Sequence, residues 1–292
     1  MLDDLRAEES ILDERLSEAS DILGFDLGDV IRNGPEARLS QTSVTQPALL
    51  VASVALFEIW SAHRGAAPTI MAGHSLGEYS AFTAAGSLQF NDAVKLVHER
   101  GKLMERAVPG GQGAMAAILG LDDDLVSSIC AEIDGVVSPA NMNAPGQVVI
   151  SGDILAVDHA IAECSEAGAR RSVKLNVSGP FHCQLMTPAA GELEKLLDEV
   201  EIKVPDISVI HNVDASLAID AAGIRDRLVR QLSAPVRWSE CVAAVLASGV
   251  TTVVECGPGK VLTGLLRRID RSVDAFAMGS VDELSAALGA IE

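Results

Sequence analysis

"MAGHSLGEYSA", residues 71–81, sets Ser75 between Gly73 and Gly77 with His74 directly beside it. The run before it, "APTIMAGHS" (67–75), is short and apolar and predicts a strand. "LGEYSAFTAAG" (76–86) predicts a helix. A serine in such a strand-to-helix turn sits at strained dihedrals, which explains its small neighbours. Its Oγ is exposed at the carboxyl end of the strand, with the amides of the next helix aimed at it. Five-residue matches to G-x-S-x-G also arise in ordinary loops, but the flanking strand and helix make Ser75 a candidate nucleophile.

A nucleophilic serine needs a base, and the chain has six histidines. Adjacent side chains diverge at a sharp turn, so His74 is expected to pack or bond locally. His63 and His159 read as surface residues, and His98 lies inside a helix. His211 ends a strand and stays in reserve. His182, in "NVSGPFHCQLM" (176–186), follows a Gly-Pro turn where two parts of the chain meet. Clefts form at such junctions, so position favours His182. Arg100, from its local sequence, reads as a solvated helix charge or a partner of Glu99 or Glu105.

Further out, "TQPALLVASVALFEIWSAHR" (45–64) predicts a buried helix with Thr45 as N-cap and Pro47 in its first turn. "NDAVKLVHERGKLMERAV" (91–108) predicts another, capped by Asn91 or Asp92 and closed by Pro109-Gly110. Residues 113–177 read strand-helix-strand-strand-helix-strand, the ferredoxin-like order, and suggest an inserted domain. Alternating α/β structure then resumes with strands in "ISVIHNV" (207–213) and "VTTVVECGPG" (250–259).

Twenty-two basic residues against 41 acidic ones give a net charge of −19, which argues against nucleic acid as a partner. Aromatics are only 3% of the chain, so the core is built from Ala, Val, Leu and Ile. The charge-free apolar runs fall short of the roughly 20 residues a spanning helix needs, so no membrane segment is expected. "MLDDLRAEES" at the N-terminus reads as neither a secretory signal nor a transit peptide. The five cysteines lack C-x-x-C spacing and fit reduced thiols of a cytoplasmic protein, with no metal and no cofactor expected. Cys183, beside His182, reads as a small packed thiol. "GPGKVLTG" (257–264) is not a phosphate loop, since Val261 stands where Ser or Thr is required. "GGQG" (110–113) precedes a strand and reads as a hinge.

"TQPAL" (45–49), "GHSLGEYSA" (73–81), "GAMAAILGL" (113–121), "NAPGQVVISG" (143–152), "GPFH" (179–182), "RQLSAPVRW" (230–238) and "ECGPGKVLTGL" (255–265) together resemble the malonyl-CoA:acyl carrier protein transacylases. The resemblance runs in family order across nearly the whole chain. It implies an α/β-hydrolase-like large domain (1–112 and 178–292) carrying a ferredoxin-like insert (113–177). Carried over by position, Ser75 is the acylated nucleophile and His182 its base. Arg100 grips the substrate carboxylate, and the main-chain carbonyl of Gln231 orients the histidine. Leu76 and Phe181 match malonyl-selecting rather than methylmalonyl-selecting motifs. The implied partners are malonyl-CoA and acyl carrier protein, and the implied state is a monomer. An acidic carrier calls for a local positive patch, for which Arg170, Arg171, Lys174, Lys260, Arg267 and Arg268 are candidates.

In one respect the resemblance is incomplete. Family members open with an apolar strand and a G-Q-G-S-Q loop, whereas Met1 falls within what would be the following helix. The preferred expectation is a start placed too far downstream, the natural chain being longer. The 292 residues alone would lack an oxyanion donor and a strand and are expected to show weak activity and poor solubility. The alternatives are a serine thioesterase and a non-catalytic carrier-binding remnant. Arg100 and "GPFH" speak against the hydrolase.

Overall fold

A computed structural model of the chain describes Leu5, residues 10–108 and residues 110–291. The first third is helical: α1 (Ser10–Leu23), α2 (Leu27–Asn33), α3 (Glu36–Leu39) and α4 (Thr42–Ala62). Helix α4 is long and apolar enough to cross a membrane, and two thirds of its most apolar window is buried. Core packing therefore accounts for its composition: Ala48, Leu50, Ala55, Leu56 and Ile59 are all fully enclosed.

Helix α4 starts three residues before the expected Thr45 cap. Gln41 holds the N-cap position, and the Thr45 hydroxyl donates instead to the Leu39 carbonyl. Pro47 consequently lies inside the helix, where it cannot donate to the carbonyl of Ser43. His98 Nδ1 donates to that carbonyl at 2.7 Å, which gives His98 a structural task. Glu105 accepts from the Ser43 amide and hydroxyl, so it is spent on the first turn of α4.

Strand β1 (Ile70–Ala72) leads into α5 (Leu76–Ala84), followed by α6 (Phe90–Ala107). The expected caps of α6 are not used: Gln89 precedes the helix, and Asn91 and Asp92 fall within its first turn. The expected Pro109 stop lies outside the described residues.

Next come β2 (Gly113–Leu119), α7 (Asp123–Glu132), β3 (Val137–Ala144), β4 (Gln147–Asp153), α8 (Ile154–Glu166) and β5 (Arg171–Lys174). The four strands form an antiparallel sheet in the order β3-β4-β2-β5. Its covered face has a core of its own, in which Ile118, Val126, Val148, Ile150 and Val157 pack together. The other face, with Met115, Ala140 and Val149, receives Phe181. Entry and exit of this unit touch: a Cβ on Gly113 would lie 2.3 Å from Pro180 Cγ, so the crossing requires glycine there.

The chain closes with α9 (Thr187–Asp198), β6 (Ser208–Ile210), α10 (Ala221–Ser233), α11 (Trp238–Ala247), β7 (Thr252–Glu255), α12 (Val261–Ile269), β8 (Asp274–Ala277) and α13 (Val281–Ala290). Among the described strands, β1 pairs in parallel only with β6, and β7 only with β8. A cavity of about 760 Å³ is lined by both β1 and β7, with Phe57 and Trp60 of α4 and Val242 and Val245 of α11. The glycine-rich turn after β7 leads into α12, whose first amides (Leu262 and Thr263) are held by Glu255 at 3.0 and 2.7 Å. A carboxylate already occupies that helix N-terminus, in keeping with rejection of a phosphate loop.

Candidate active site

Ser75 is the residue between β1 and α5, at φ 52° and ψ −105°. A non-glycine residue at positive φ is strained, and the strain persists only where the surroundings enforce it. They do so from three sides. The Ser75 amide donates to Asn212 Oδ1 at 2.7 Å, and the Ser75 carbonyl accepts from Gln231 Nε2 at 3.0 Å. Asn212 Nδ2 donates to the Gly73 carbonyl at 2.7 Å, fixing the residue two before the serine. A Cβ on Gly73 would fall 1.9 Å from the Gly77 carbonyl oxygen, whereas one on Gly77 would meet nothing within 4 Å. The steric need for glycine therefore falls on the first of the pair alone.

The Ser75 Oγ lies 2.7 Å from His182 Nε2, although 107 residues separate them in sequence. His182 Nδ1 is 2.8 Å from the main-chain carbonyl of Gln231. A carbonyl only accepts, so Nδ1 carries the hydrogen and Nε2 is left as an acceptor for the serine hydroxyl. His182 is also at positive φ, 58°, and is only 4% exposed. Burial, reinforced by the charge of Arg100, pushes its pKa down to about 3, so the imidazole is neutral at pH 7.

Arg100 is not a solvated helix charge: it is 1% exposed. Glu99 pairs with Lys102 and Glu105 serves Ser43, so neither acid expected locally reaches it. Its Nη1 donates to Gln46 Oε1 at 2.8 Å, and its Nη2 donates to Gln231 Oε1 at 2.9 Å and to Ser75 Oγ at 3.3 Å. The guanidinium lies 5.2 Å from the ring centre of Tyr79. All its hydrogen-bond acceptors are neutral, and Nε has none. Burial lowers its pKa. A buried cation held by neutral dipoles, 3.3 Å from a nucleophilic oxygen, suits an incoming anion.

The structure thus brings together Ser75, His182, Arg100 and Gln231. Leu76 opens α5, so its amide belongs to the first turn and has no acceptor within the helix. Phe181 precedes His182 and packs against both the large core and the inner face of the β2–β5 sheet. The His74 ring packs against Trp238 and bonds its own backbone, and its Nε2 also reaches Asn143 Oδ1 at 2.8 Å. The reserve histidine, His211, is fully buried and its Nδ1 contacts Glu78 at 2.7 Å, away from the serine oxygen. The Cys183 thiol donates to the Pro180 carbonyl at 3.2 Å and does not pair with His182.

Sequence reasoning missed Gln46, Glu78 and Asn212. Glu78 did leave a signal, being an acid in the otherwise apolar helix "LGEYSAF". Among the described residues no group of three or more His, Cys, Asp or Glu is arranged to hold a metal ion.

Residues 6–284 match the family described as "Acyl transferase domain". The malonyl CoA-acyl carrier protein transacylase of Escherichia coli K12 is 50% identical over 290 residues, covering 99% of this chain and 94% of the relative. That of Bacillus subtilis is 43% identical over 274 residues, covering 93% and 86%. Among solved structures, an acyl carrier protein S-malonyltransferase from Vibrio cholerae superposes with a TM-score of 0.96 at 49% identity. The match covers 98% of this chain and 94% of that one. A type II PKS acyl-carrier protein in complex with its malonyl-transacylase matches at 47% identity and a TM-score of 0.98, covering 99% and 94%.

Proposed function

The chain belongs to the malonyl CoA-acyl carrier protein transacylases, and from that membership we propose how its own residues carry the reaction. It is an acyltransferase that moves a malonyl group from coenzyme A to acyl carrier protein in fatty acid synthesis. Ser75 Oγ attacks the thioester carbonyl of malonyl-CoA while His182 Nε2 takes its proton. The tetrahedral intermediate collapses, His182 returns that proton to the departing sulfur, and a malonyl-serine ester remains. In the second half-reaction the carrier's phosphopantetheine thiol gives its proton to His182 and attacks the ester, regenerating Ser75. The Gln231 carbonyl holds the ring and favours the transient imidazolium, and the Leu76 amide faces the developing oxyanion.

Arg100 takes the free malonyl carboxylate. Its planar fork matches a carboxylate in two bonds, and the 3.3 Å contact to Ser75 is the weak one to give up. Leu76 and Phe181 shape the space beside the acyl group for malonyl. Residues 1–112 and 178–292 are the α/β-hydrolase-like catalytic domain, and 113–177 the ferredoxin-like insert. The enzyme works as a cytoplasmic monomer. What carries the assignment is the single chain Gln231 carbonyl–His182–Ser75, with buried Arg100 touching the same oxygen.

Labelled malonyl-CoA tests it: the label is expected on Ser75 and then, once acyl carrier protein is added, on the carrier. Release of free malonate at the same rate with or without carrier would instead indicate a thioesterase.

For the carrier, we narrow the positive patch. Lys260 pairs with Glu283, and Lys174 with Asp158. Arg171 and Gln147 flank Leu119 from either side, and Arg268 Nη1 donates to Gln147 Oε1 at 2.9 Å. Arg170, Arg171 and Arg268 therefore converge at one end of the insert sheet, and a carrier's acidic surface docks there. Reversing charge in R171E/R268E is expected to raise KM for the carrier about tenfold and flatten its salt dependence. The rate of acyl-serine formation from malonyl-CoA should not change.

A further inference from the structure

Glu78 sits in the first turn of α5 and is fully buried. Three residues from two segments converge on its carboxylate. Oε1 is 2.7 Å from His211 Nδ1, while Oε2 accepts from the Asn212 amide at 3.0 Å and from Gln231 Nε2 at 2.8 Å. Asn212 in turn holds the Ser75 amide, and Gln231 holds the Ser75 carbonyl.

The contact with Gln231 has a directional consequence. A carboxylate only accepts, so it fixes which end of the Gln231 amide faces it. Both hydrogens of Nε2 are then used, on Glu78 and on Ser75, and Oε1 is forced to face Arg100. The sequence is cation, amide oxygen, amide hydrogen, carboxylate, with Gln231 as the neutral bridge between two buried charges. Without the carboxylate, the neutral Ser75 carbonyl is left as the acceptor of those hydrogens, and the charge-assisted bond that pins the amide against the guanidinium is lost.

We propose that Glu78 is a positioning residue for substrate selection: it locks the orientation of the Gln231 amide and thereby aims Arg100 at the malonyl carboxylate. This rests on the assignment of Arg100 as the carboxylate-binding group. Glu78 itself touches no reacting atom. Its influence is felt in which acyl donor is accepted, more than in proton transfer, because His182 is held by the Gln231 main chain rather than by its side chain.

The test compares kcat/KM for malonyl-CoA and acetyl-CoA in E78Q, R100A, Q231L and the double variant E78Q/Q231L, with thermal melts for each. E78Q should lower the malonyl-to-acetyl ratio at least tenfold, mainly through KM for malonyl-CoA. In the Q231L background the same substitution should leave the ratio unchanged. H211N, which disturbs the other carboxylate oxygen, is the structural control and should lower the melting temperature without altering the ratio. If E78Q is insoluble, E78D, which withdraws the charge by one methylene, carries the same readout. An equal loss for both donors in E78Q, or an undiminished effect in Q231L, overturns the proposal. If R100A also leaves the ratio unchanged, the fault lies with the Arg100 assignment; if R100A collapses it and E78Q does not, with Glu78 alone.

Discussion

S75A is expected to lose about 10⁶-fold in kcat, with no label retained on the protein after exposure to malonyl-CoA. On the proposed mechanism the reaction passes through an ester on that oxygen, which lies 2.7 Å from His182 Nε2. H182A should fall nearly as far, because Oγ then keeps its proton. The double variant S75A/H182A should be no worse than either single one, since a nucleophile without its base, or a base without its nucleophile, does nothing further. Quenched-flow kinetics on the three variants would expose additive losses, which would contradict a single Ser–His unit.

The acid side of the pH profile follows from the same geometry. His182 titrates near 3 in the folded protein, below its ordinary value of 6.5. Between these limits the unfolded chain binds a proton that the folded one refuses. Stability supplied by the neutral ring is thus complete above pH 6.5 and drains away as pH falls toward 3. Activity of the free enzyme should accordingly survive mild acid better than an exposed histidine would permit, and be cut off first by loss of structure.

R100A is the second large effect. Leaving one member of a buried charge pair unpaired costs about 2–5 kcal/mol, so discrimination for malonyl-CoA over acetyl-CoA should drop roughly 30- to 4,000-fold. Most of this should appear as a raised KM for malonyl-CoA. Acetyl transfer should change far less, because acetyl has no carboxylate for Arg100 to hold and the guanidinium is already buried in the free enzyme. R100K should recover little, as a point charge lacks the fork. Competition assays with both donors present read the ratio directly; a ratio that stays at the wild-type value would remove Arg100 from substrate recognition.

Much of this site was legible from short-range pattern. The strand, the strained serine and the helix follow from "TIMAGHSLGEY", because elbow geometry is a local property and glycine marks it. The element order of the β2–β5 unit was legible for the same reason, whereas its register, shifted between Pro139 and Asn141 and between Met142 and Ala144, was not. The base could be ranked only by where the chain re-enters the large domain, since nothing near His182 refers to Ser75. Arg100 was misread from its neighbours because burial is a property of the assembled helices α4, α5 and α6. The cap of α4 was misplaced for a comparable reason. The Ser43 carbonyl that Pro47 cannot satisfy is met by His98, 51 residues later. Helix α9 and the β8–α13 pair gave no motif to anchor on and were not anticipated.

Ser75 follows β1, a strand three residues long that pairs, among the described residues, with β6 alone, beside a cavity shared with β7. Its posture is held by side-chain bonds from Asn212 and Gln231, themselves tied to the Glu78 carboxylate, rather than by a broad ladder. The antiparallel sheet of β2–β5 is secured by longer strands and a sealed core. Heat should find this difference. On slow warming, turnover should disappear several degrees before the far-ultraviolet dichroism of the bulk chain collapses, and amide exchange at residues 70–75 should outpace that at 114–118. The working temperature would then be set locally, at the serine turn, and would lie below the melting point of the chain.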